Sequence, residues 1–346
     1  MSALDNKVFP IISDLLEKEG VEGYVIGGFV RDFFLERGCK DIDIVVLGSG
    51  LEIAEKLGAI LHCNVSLFKN FGTAMLRRDD LEIEFVGARK ESYNRDSRKP
   101  IVENGTLEDD QNRRDFTINA MAFSLNAANY GQLIDPFGGM EDLHVKIIRT
   151  PLDPDITFSD DPLRMIRAIR FSTQLGFTIE KETFAAIARN AERIKIVSVE
   201  RISTEIEKIM LSEKPSVGFK LLDECGLMKI MFPFLHNLKG VEIRKGRAHK
   251  DNFYHTLTVL DNVAAMDGGK LWLRWAALLH DVAKPATKGW EDGVGWTFHG
   301  HEVVGAKMAN KIFKELRLPL GTTLDYVKKL IFLHLRPIAL AKEGVS

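Results

Sequence analysis

YVIGGFVRDFFLERGCKDIDIVV, residues 24–46, joins an apolar run to a glycine pair, an arginine and two alternate aspartates, and its reading decides the fold. Asp41 and Asp43 alternate with Ile42 and Ile44 in a run ending Val45 and Val46. A strand here puts both carboxylates on one face, with backbones ~7 Å apart. Carboxylates that close repel unless one is protonated or a cation bridges them. Hard oxygen ligands suit Mg2+, which keeps its waters and binds through one or two carboxylates and a substrate's phosphates. Upstream, Gly27 and Gly28 let the backbone come close to a ligand, and a helix beginning near Phe29 turns its amide ends toward an anion. Arg31, one turn in, is placed to clamp the same phosphate. A lone DxD pair is common on surface strand ends, and a third carboxylate changes its weight. LEIEFVGAR, residues 81–89, alternates Glu82 and Glu84 with apolar partners and offers a second strand to complete a metal cage; Glu82 reads equally as a solvated side chain.

Further motifs follow in order: EFVGAR at 84–89, RRDFTINAMAF at 113–123, DPFGGMEDLHVKIIR at 135–149 and DDPLRMIRAIRFSTQLGF at 160–177. With GGFVRD and DIDIVV they resemble the bacterial tRNA nucleotidyltransferases, the class II CCA-adding enzymes, and the related bacterial poly(A) polymerases, over about residues 20–210. The resemblance implies an α/β nucleotidyltransferase head of the DNA polymerase beta superfamily, followed by an all-α neck and an all-α HD-type domain. It implies that Gly27, Gly28 and Arg31 hold a triphosphate, that Asp41 and Asp43 carry two Mg2+ ions, and that Glu84 is the third catalytic carboxylate. Arg114 would reach phosphate or base, and Asp115 and Asn119 resemble residues that sense ribose hydroxyls. The implied partners are tRNA, CTP and ATP.

Strand-like runs dominate to about Asp135, after which GLMKIMFPFL, IEKIML and RMIRAIRF show helical spacing. The expected division is a head over 1–140, a neck carrying the base-template helix over 141–225, and a helical body with the HD-type domain over 226–346. DPFGG at 135–139 and TPLDPD at 150–155 mark turns. There are 346 residues, 45% of them hydrophobic, and the mean hydropathy is −0.07, which suits a soluble globular chain of two or three domains. No apolar run approaches the ~20 residues of a membrane span, and the N-terminus lacks a signal-peptide core, so a cytoplasmic protein is expected. Cys39, Cys63 and Cys225 show no CxxC spacing, which argues against disulfides and zinc clusters. Nothing in the sequence bears on oligomeric state.

A net charge of −2 is low for an RNA enzyme, whose affinity comes mostly from Lys and Arg contacts to phosphate. Two basic runs answer locally: RKESYNRDSRK at 89–99 and IRKGRAHK at 243–250, each also readable as a solvated loop. The first opens an aperiodic stretch, Arg89 to Asn112, too long for a routine connection. In CCA-adding relatives a flexible loop occupies this position and serves addition of the final A. Its presence argues against a CC-only enzyme.

Asp161 and Arg164 open a helix where base choice is expected. Three residues apart, they present an acceptor and a donor fork to one planar group. Cytosine and adenine each show an amine beside a ring acceptor; guanine and uracil would set a carbonyl against the carboxylate and leave both acceptors unpaired. Asp161 before Pro162 also reads as a plain N-cap. The resemblance implies an EDxxR base template, with Asp160 standing here for the glutamate. Arg167 and Arg170 continue the row, and with Leu163, Ile166 and Ile169 claiming the core side they are expected free for nucleotide. The charges of ERISTEIEKIM, 200–210, read as support for the neck.

In the last third, His255, the pair His280–Asp281, His299 and His301 in FHGHEVVGA, and His334 resemble an HD-type metal-dependent phosphohydrolase domain. Imidazoles with a carboxylate suit a transition metal such as Ni2+, Mn2+ or Zn2+ that could activate water at a phosphate. The expected ligands are His255, His280, Asp281 and His301. HD domains of this kind close with a further Asp, whereas this sequence stops at Ser346 soon after His334. The resemblance therefore implies a C-terminally shortened chain, lacking that ligand and the helices that grip the tRNA elbow.

Overall fold

The structure, a computed structural model, describes residues 3–94, 97–266 and 268–337, with the side chains of 91–102 left aside. The chain forms two compact units, Met1–Asp161 with Thr178–Thr183, and Pro162–Phe177 with Phe184–Ser346.

The first unit is built on strands β1 (Gly23–Ile26), β2 (Asp41–Val46), β3 (Val65–Phe68), β4 (Thr73–Arg78) and β5 (Leu81–Gly87). After them comes a separate antiparallel ribbon, β6 (Arg89–Asn94) with β7 (Ser97–Asn104), and then β8 (Ala122–Ser124) and β9 (Leu133–Ile134). The main sheet has the order β3-β4-β5-β2-β1-β8-β9. Its one parallel pairing is β2 with β5, where Asp41 stands opposite Glu82 and Asp43 opposite Glu84. Alternation holds where the acids lie: Ile42 and Ile44 are buried while Asp41 and Asp43 face the other way. It fails at Val45 and Val46, both fully buried, because a central strand covered on both faces needs no polar side. Helices α1 (Val8–Glu19), α2 (Gly28–Phe34) and α3 (Gly50–Leu61) belong to this unit. Ser49 caps α3 by accepting from the Glu52 amide. So do α4 (Leu107–Asn112), α5 (Gly139–His144) and α6 (Pro154–Asp160), with a short parallel pair, β10 (Ile147–Ile148) and β11 (Thr178–Ile179).

The stretch 89–112, read from sequence as an aperiodic loop, is instead this β6–β7 ribbon followed by α4, which a Thr106–Asp109 capping box opens. RKESYN and SRKPIVEN have no regular alternation of apolar and polar residues, so periodicity had nothing to detect. Arg95 falls outside the described residues, as do the side chains of Arg98 and Lys99.

The second unit opens with α7 (Leu163–Leu175), and α8 (Lys181–Asn190) carries the chain back into it. Helices α9 (Val199–Met210), α10 (Ser216–Glu224), α11 (Leu227–Met231), α12 (Pro233–His236), α13 (Asn252–Met266), α14 (Leu271–Leu279), α15 (His301–Glu315) and α16 (Thr322–Leu333) complete it. Met165, Ile166, Ala168 and Ile169 of α7 are fully buried, as the helical spacing predicts. The arginine row departs from expectation. Arg164 and Arg170 are buried too, and only Arg167 is half-exposed. Arg170 lies 3.2 Å from Glu205 of α9 and over the Phe171 ring. A long side chain can run along an apolar helix face and still present its guanidinium to a carboxylate, which the core-side count did not consider. Here the charge of α9 does support its neighbour. Glu205→Ala should lower stability to urea by about 3 kcal/mol, since it removes the carboxylate from a buried ion pair. The pair Arg170→Met with Glu205→Leu should recover most of that loss; an unstable double variant would assign Arg170 further duties.

Among the described residues no helix is long and apolar enough to cross a membrane. All three cysteines are free, and burial pushes the Cys225 thiol up to about 11.

Candidate active site and metal centre

The first constellation forms where β1 turns into α2. Gly27 sits at φ +82, in the region that favours glycine, and a Cβ there would lie 3.1 Å from Arg114 Nη1 and 3.5 Å from Asp43 Oδ2. The turn therefore abuts the acids directly. Asp43 is half-buried between Asp41, two residues back, and Glu84 across the β2–β5 pairing. Burial raises the Asp43 carboxyl above its ordinary value, Arg114 draws it down, and Asp41 raises it further. Glu84 is raised by burial and by the Asp43 charge. Crowded, partly desolvated carboxylates of this kind are groups that a cation relieves. Their donor atoms do not form a ready three-ligand cage with mutual separations under 4.8 Å, which among the described residues occurs only in the second unit. Mg2+ needs no such cage when phosphates supply the remaining oxygens. Glu82 pairs with Arg77 at 2.6 Å, which favours its reading as a surface side chain.

Arg31 departs from the expected clamp. Its Nε and Nη2 donate to both oxygens of Asp32 at 2.8 Å, and Nη1 donates to Asn119 Oδ1 at 2.7 Å. Asn119 Nδ2 donates in turn to Asp115 Oδ1 at 2.9 Å. The fork is spent within the unit because its sequence neighbour is an acid. Asn119 ends a single turn of 3-10 helix, Thr117–Asn119, which explains its position without helix propensity. Arg114 Nε and Nη2 donate to Asp110 Oδ2 at 3.1 and 3.0 Å, and Arg113 holds the other Asp110 oxygen. Burial would raise Asp110, but Arg114 and Arg113 outweigh it and hold the carboxyl below its usual range. Asp110, which sequence reading passed over, is thus the anchor of Arg114; its place three and four residues before two arginines was the available signal.

Asp161 ends α6 in extended conformation, and Pro162 takes the position before α7, where no side chain caps the helix.

Of the five histidines His255, His280, His299, His301 and His334, the second constellation gathers four around Asp281. Oδ1 lies 3.3 Å from His301 Nε2 and 3.8 Å from His334 Nε2; Oδ2 lies 3.2 Å from His280 Nε2, 3.8 Å from His255 Nε2 and 2.7 Å from Lys284 Nζ. Nδ1 of His280, His301 and His334 each faces a backbone carbonyl, of Ala277, Phe298 and Ile331, at 2.6–2.8 Å. Donation there leaves Nε2 as a lone pair aimed inward, the arrangement metal-binding histidines use. Burial would raise Asp281, but His280, His301 and Lys284 outweigh it and hold it far below the ordinary carboxylate range. Oδ2 nevertheless makes no well-aligned hydrogen bond. A buried oxygen in that state, ringed by imidazoles, fits a transition-metal ligand set. His334, absent from the expected ligands because an aspartate was sought in the closing place, joins the cluster. His299 does not: it is exposed and pairs with Glu291.

Comparison with known proteins gives the class: a nucleotidyltransferase head, a helical neck and an HD domain, of families that depend on metal. Residues 23–149 match the Poly A polymerase head domain, 176–239 the probable RNA and SrmB-binding site of polymerase A, and 252–344 the HD domain. A CCA-adding enzyme of Anoxybacillus flavithermus is 33% identical over 321 residues, 92% of this chain and 71% of that one. An A-adding tRNA nucleotidyltransferase of Aquifex aeolicus is 45% identical over 163 residues, 47% of this chain and 20% of that one. The structure of the Thermotoga maritima CCA-adding enzyme complexed with tRNA superposes with a TM-score of 0.69 at 26% identity, covering 98% of this chain and 72% of that one. The chain belongs to the bacterial CCA-adding enzyme family.

Proposed function

We propose that the chain adds C, C and A to the 3′ end of tRNA from CTP and ATP without a nucleic-acid template. The observation that carries the reading is the β2–β5 register, which aligns Asp43 with Glu84 beside the Gly27 turn. Asp41, Asp43 and Glu84 would hold Mg2+, which when bound neutralises charge on the phosphates and favours the ionised 3′ hydroxyl. Gly27 and Gly28 let the triphosphate approach, and Arg114, fixed by Asp110, sets a positive charge beside Asp43. Asp115 and Asn119, held by Arg31, stand for the ribose contacts. Attack of the terminal 3′ oxygen on the α-phosphate forms the new phosphodiester and expels pyrophosphate. Asp161 and Arg164 read the base, with Arg167 the most exposed arginine of the same helix. The head spans about 1–140, the neck 141–225 and the body 226–346.

A bacterial poly(A) polymerase would share the head motifs, and CC-adding or A-adding enzymes would share the chemistry. Incubating tRNA that ends at the discriminator base with each nucleotide, then sequencing 3′ ends, separates them. CCA from CTP and ATP together is the expected product; A runs from ATP alone, or arrest after CC with both present, would overturn the reading.

The Asp281 cluster supports a second activity, hydrolysis of 2′ or cyclic phosphates with a transition metal. It should survive Asp41→Asn and disappear in His280→Ala. Loss in both variants would tie hydrolysis to the head instead.

A further inference from the structure

The basic run at 243–250, readable from sequence as a solvated loop, forms a short antiparallel ribbon, β12 (Ile243–Arg244) with β13 (Arg247–Ala248). A second ribbon, β14 (Gly289–Glu291) with β15 (Gly295–Thr297), stands against it. The two are fastened together. Arg247 Nη1 donates to the carbonyls of Gly293 and Val294, both at 2.7 Å, Trp296 Nε1 donates to the Arg247 carbonyl at 3.2 Å, and Lys245 pairs with Asp292 at 2.7 Å. Trp290 and Trp296 are direct cross-strand partners, so both indoles stand on one face of the second ribbon, with centroids 5.3 Å apart. Arg244 lies over Trp290 at 5.1 Å, and Lys288 over Trp296 at 4.4 Å. Both indoles remain half-buried, open on part of their surface.

Core packing does not account for this assembly. Every residue of β12 and β13 is exposed, Ile243 at 74%, and no hydrophobic side chain of either ribbon joins the buried core. Its charges are also left open. Glu242 pairs with Lys288 and Asp292 with Lys245, whereas Arg244, Arg247 and Lys250 meet no carboxylate within ion-pair reach among the described residues. Uncompensated cations beside accessible indoles match a polymer that offers both anionic phosphates and unpaired aromatic bases; a duplex offers this face only its phosphates, and an acidic peptide leaves the indoles idle. Resting on the reading of RNA as the polymer this chain acts on, we propose that the two ribbons form a platform for unpaired nucleotides of that RNA, with bases stacking on Trp290 and Trp296 and phosphates meeting Arg244 and Lys250.

All four tryptophans, Trp272, Trp275, Trp290 and Trp296, lie in the second unit, so indole emission reports on that unit and not on the head. The test titrates the full chain, in chelator and without nucleotide, with single-stranded oligo(A) of about twelve nucleotides, and follows that emission, with thermal unfolding as the fold control. Single-stranded RNA should quench it, and a blunt duplex of equal length should quench little. The affinity read from quenching should fall ~5- to 150-fold in Trp290→Ala, the range for loss of one base–aromatic stack. Arg244→Gln with Lys250→Gln, milder for the fold, should flatten the slope of log affinity against log salt by about 1.4, the share of two single-strand phosphate contacts. Asp41→Asn should quench as the wild type does, so that the platform and the transferase reading fail separately. No quenching by single-stranded RNA, equal quenching by the duplex, or an unchanged salt slope in the double variant overturns the platform. Quenching that persists unchanged in both Trp290→Ala and Trp296→Ala belongs to Trp272 and overturns it too, as does quenching that disappears in Asp41→Asn.

Discussion

Replacing Asp43 by Asn is expected to slow nucleotide addition by about 10³-fold or more while making the metal-free chain more stable. The loss follows from removing a charge that would hold the ion at the α-phosphate, where several kcal/mol of stabilisation are at stake and each 1.36 kcal/mol is a factor of ten. The gain follows from the site itself. Burial and Asp41 raise the folded-state carboxyl of Asp43 despite Arg114. For such a group the stabilising share is complete below the unfolded value near 3.9, and is lost as pH rises through the higher folded value. At neutral pH the wild-type chain has therefore forfeited it, and asparagine has nothing to forfeit. The variant's unfolding midpoint should exceed that of the wild type at pH 7 in chelator, and the gap should close toward pH 4. Mg2+ at about ten times its dissociation constant should then stabilise the wild type by ~1.4 kcal/mol and the variant by far less. Asp41→Asn should abolish turnover similarly. Wild-type turnover by either variant would sink the mechanism, and a metal-free Asp43→Asn chain weaker than wild type would show that the pull of Arg114 outweighs burial.

What could be read from sequence was whatever depended on period and order. The alternation of Asp41–Val46 and Leu81–Arg89 placed the acids on one face, and helical spacing placed the core of α7. What could not be read was the choice of partner. Arg31 has an acid beside it in the chain, and both oxygens of that acid accept from its guanidinium. Arg170 on α7 meets Glu205 on α9, a separation in sequence that no local pattern encodes. The β6–β7 ribbon lacks a regular apolar face, so nothing periodic marked it as strand. At the metal centre, residue types pointed to imidazole chemistry, but which oxygen of Asp281 each histidine faces is a matter of side-chain direction alone. His334 was left out of the expected ligands, and only the fold brings its Nε2 to 3.8 Å from Asp281 Oδ1.

Asp161→Ala should reduce the preference for C and A over U and G far more than it reduces the rate of C addition. A polar site that hydrogen-bonds its substrate rejects a mismatched analogue by roughly 10⁴, because the wrong base leaves buried groups unpaired. Removing the acceptor abolishes that penalty, so the preference should fall to about tenfold or less. The rate with CTP loses only one charge-assisted hydrogen bond, about 1.5–3 kcal/mol, or roughly 10- to 150-fold. The competing role is structural. A capping aspartate is worth ~1 kcal/mol, and its loss would weaken the fold and leave base choice alone. In the structure Asp161 ends α6 in extended conformation, at φ −133° and ψ 97°, immediately before Pro162, which is a geometry that a capping residue also takes, so the two roles are separated by experiment. Single-turnover addition with each of the four nucleotides, beside a urea titration, separates the two. Arg164→Lys sharpens the test, since it keeps the charge and loses the planar fork. If base choice depends on a matched acceptor and donor, that variant should also discriminate poorly; if the helix needs only a positive charge there, it should behave as wild type. A fall in stability with unchanged base choice in Asp161→Ala would hand the residue to the fold.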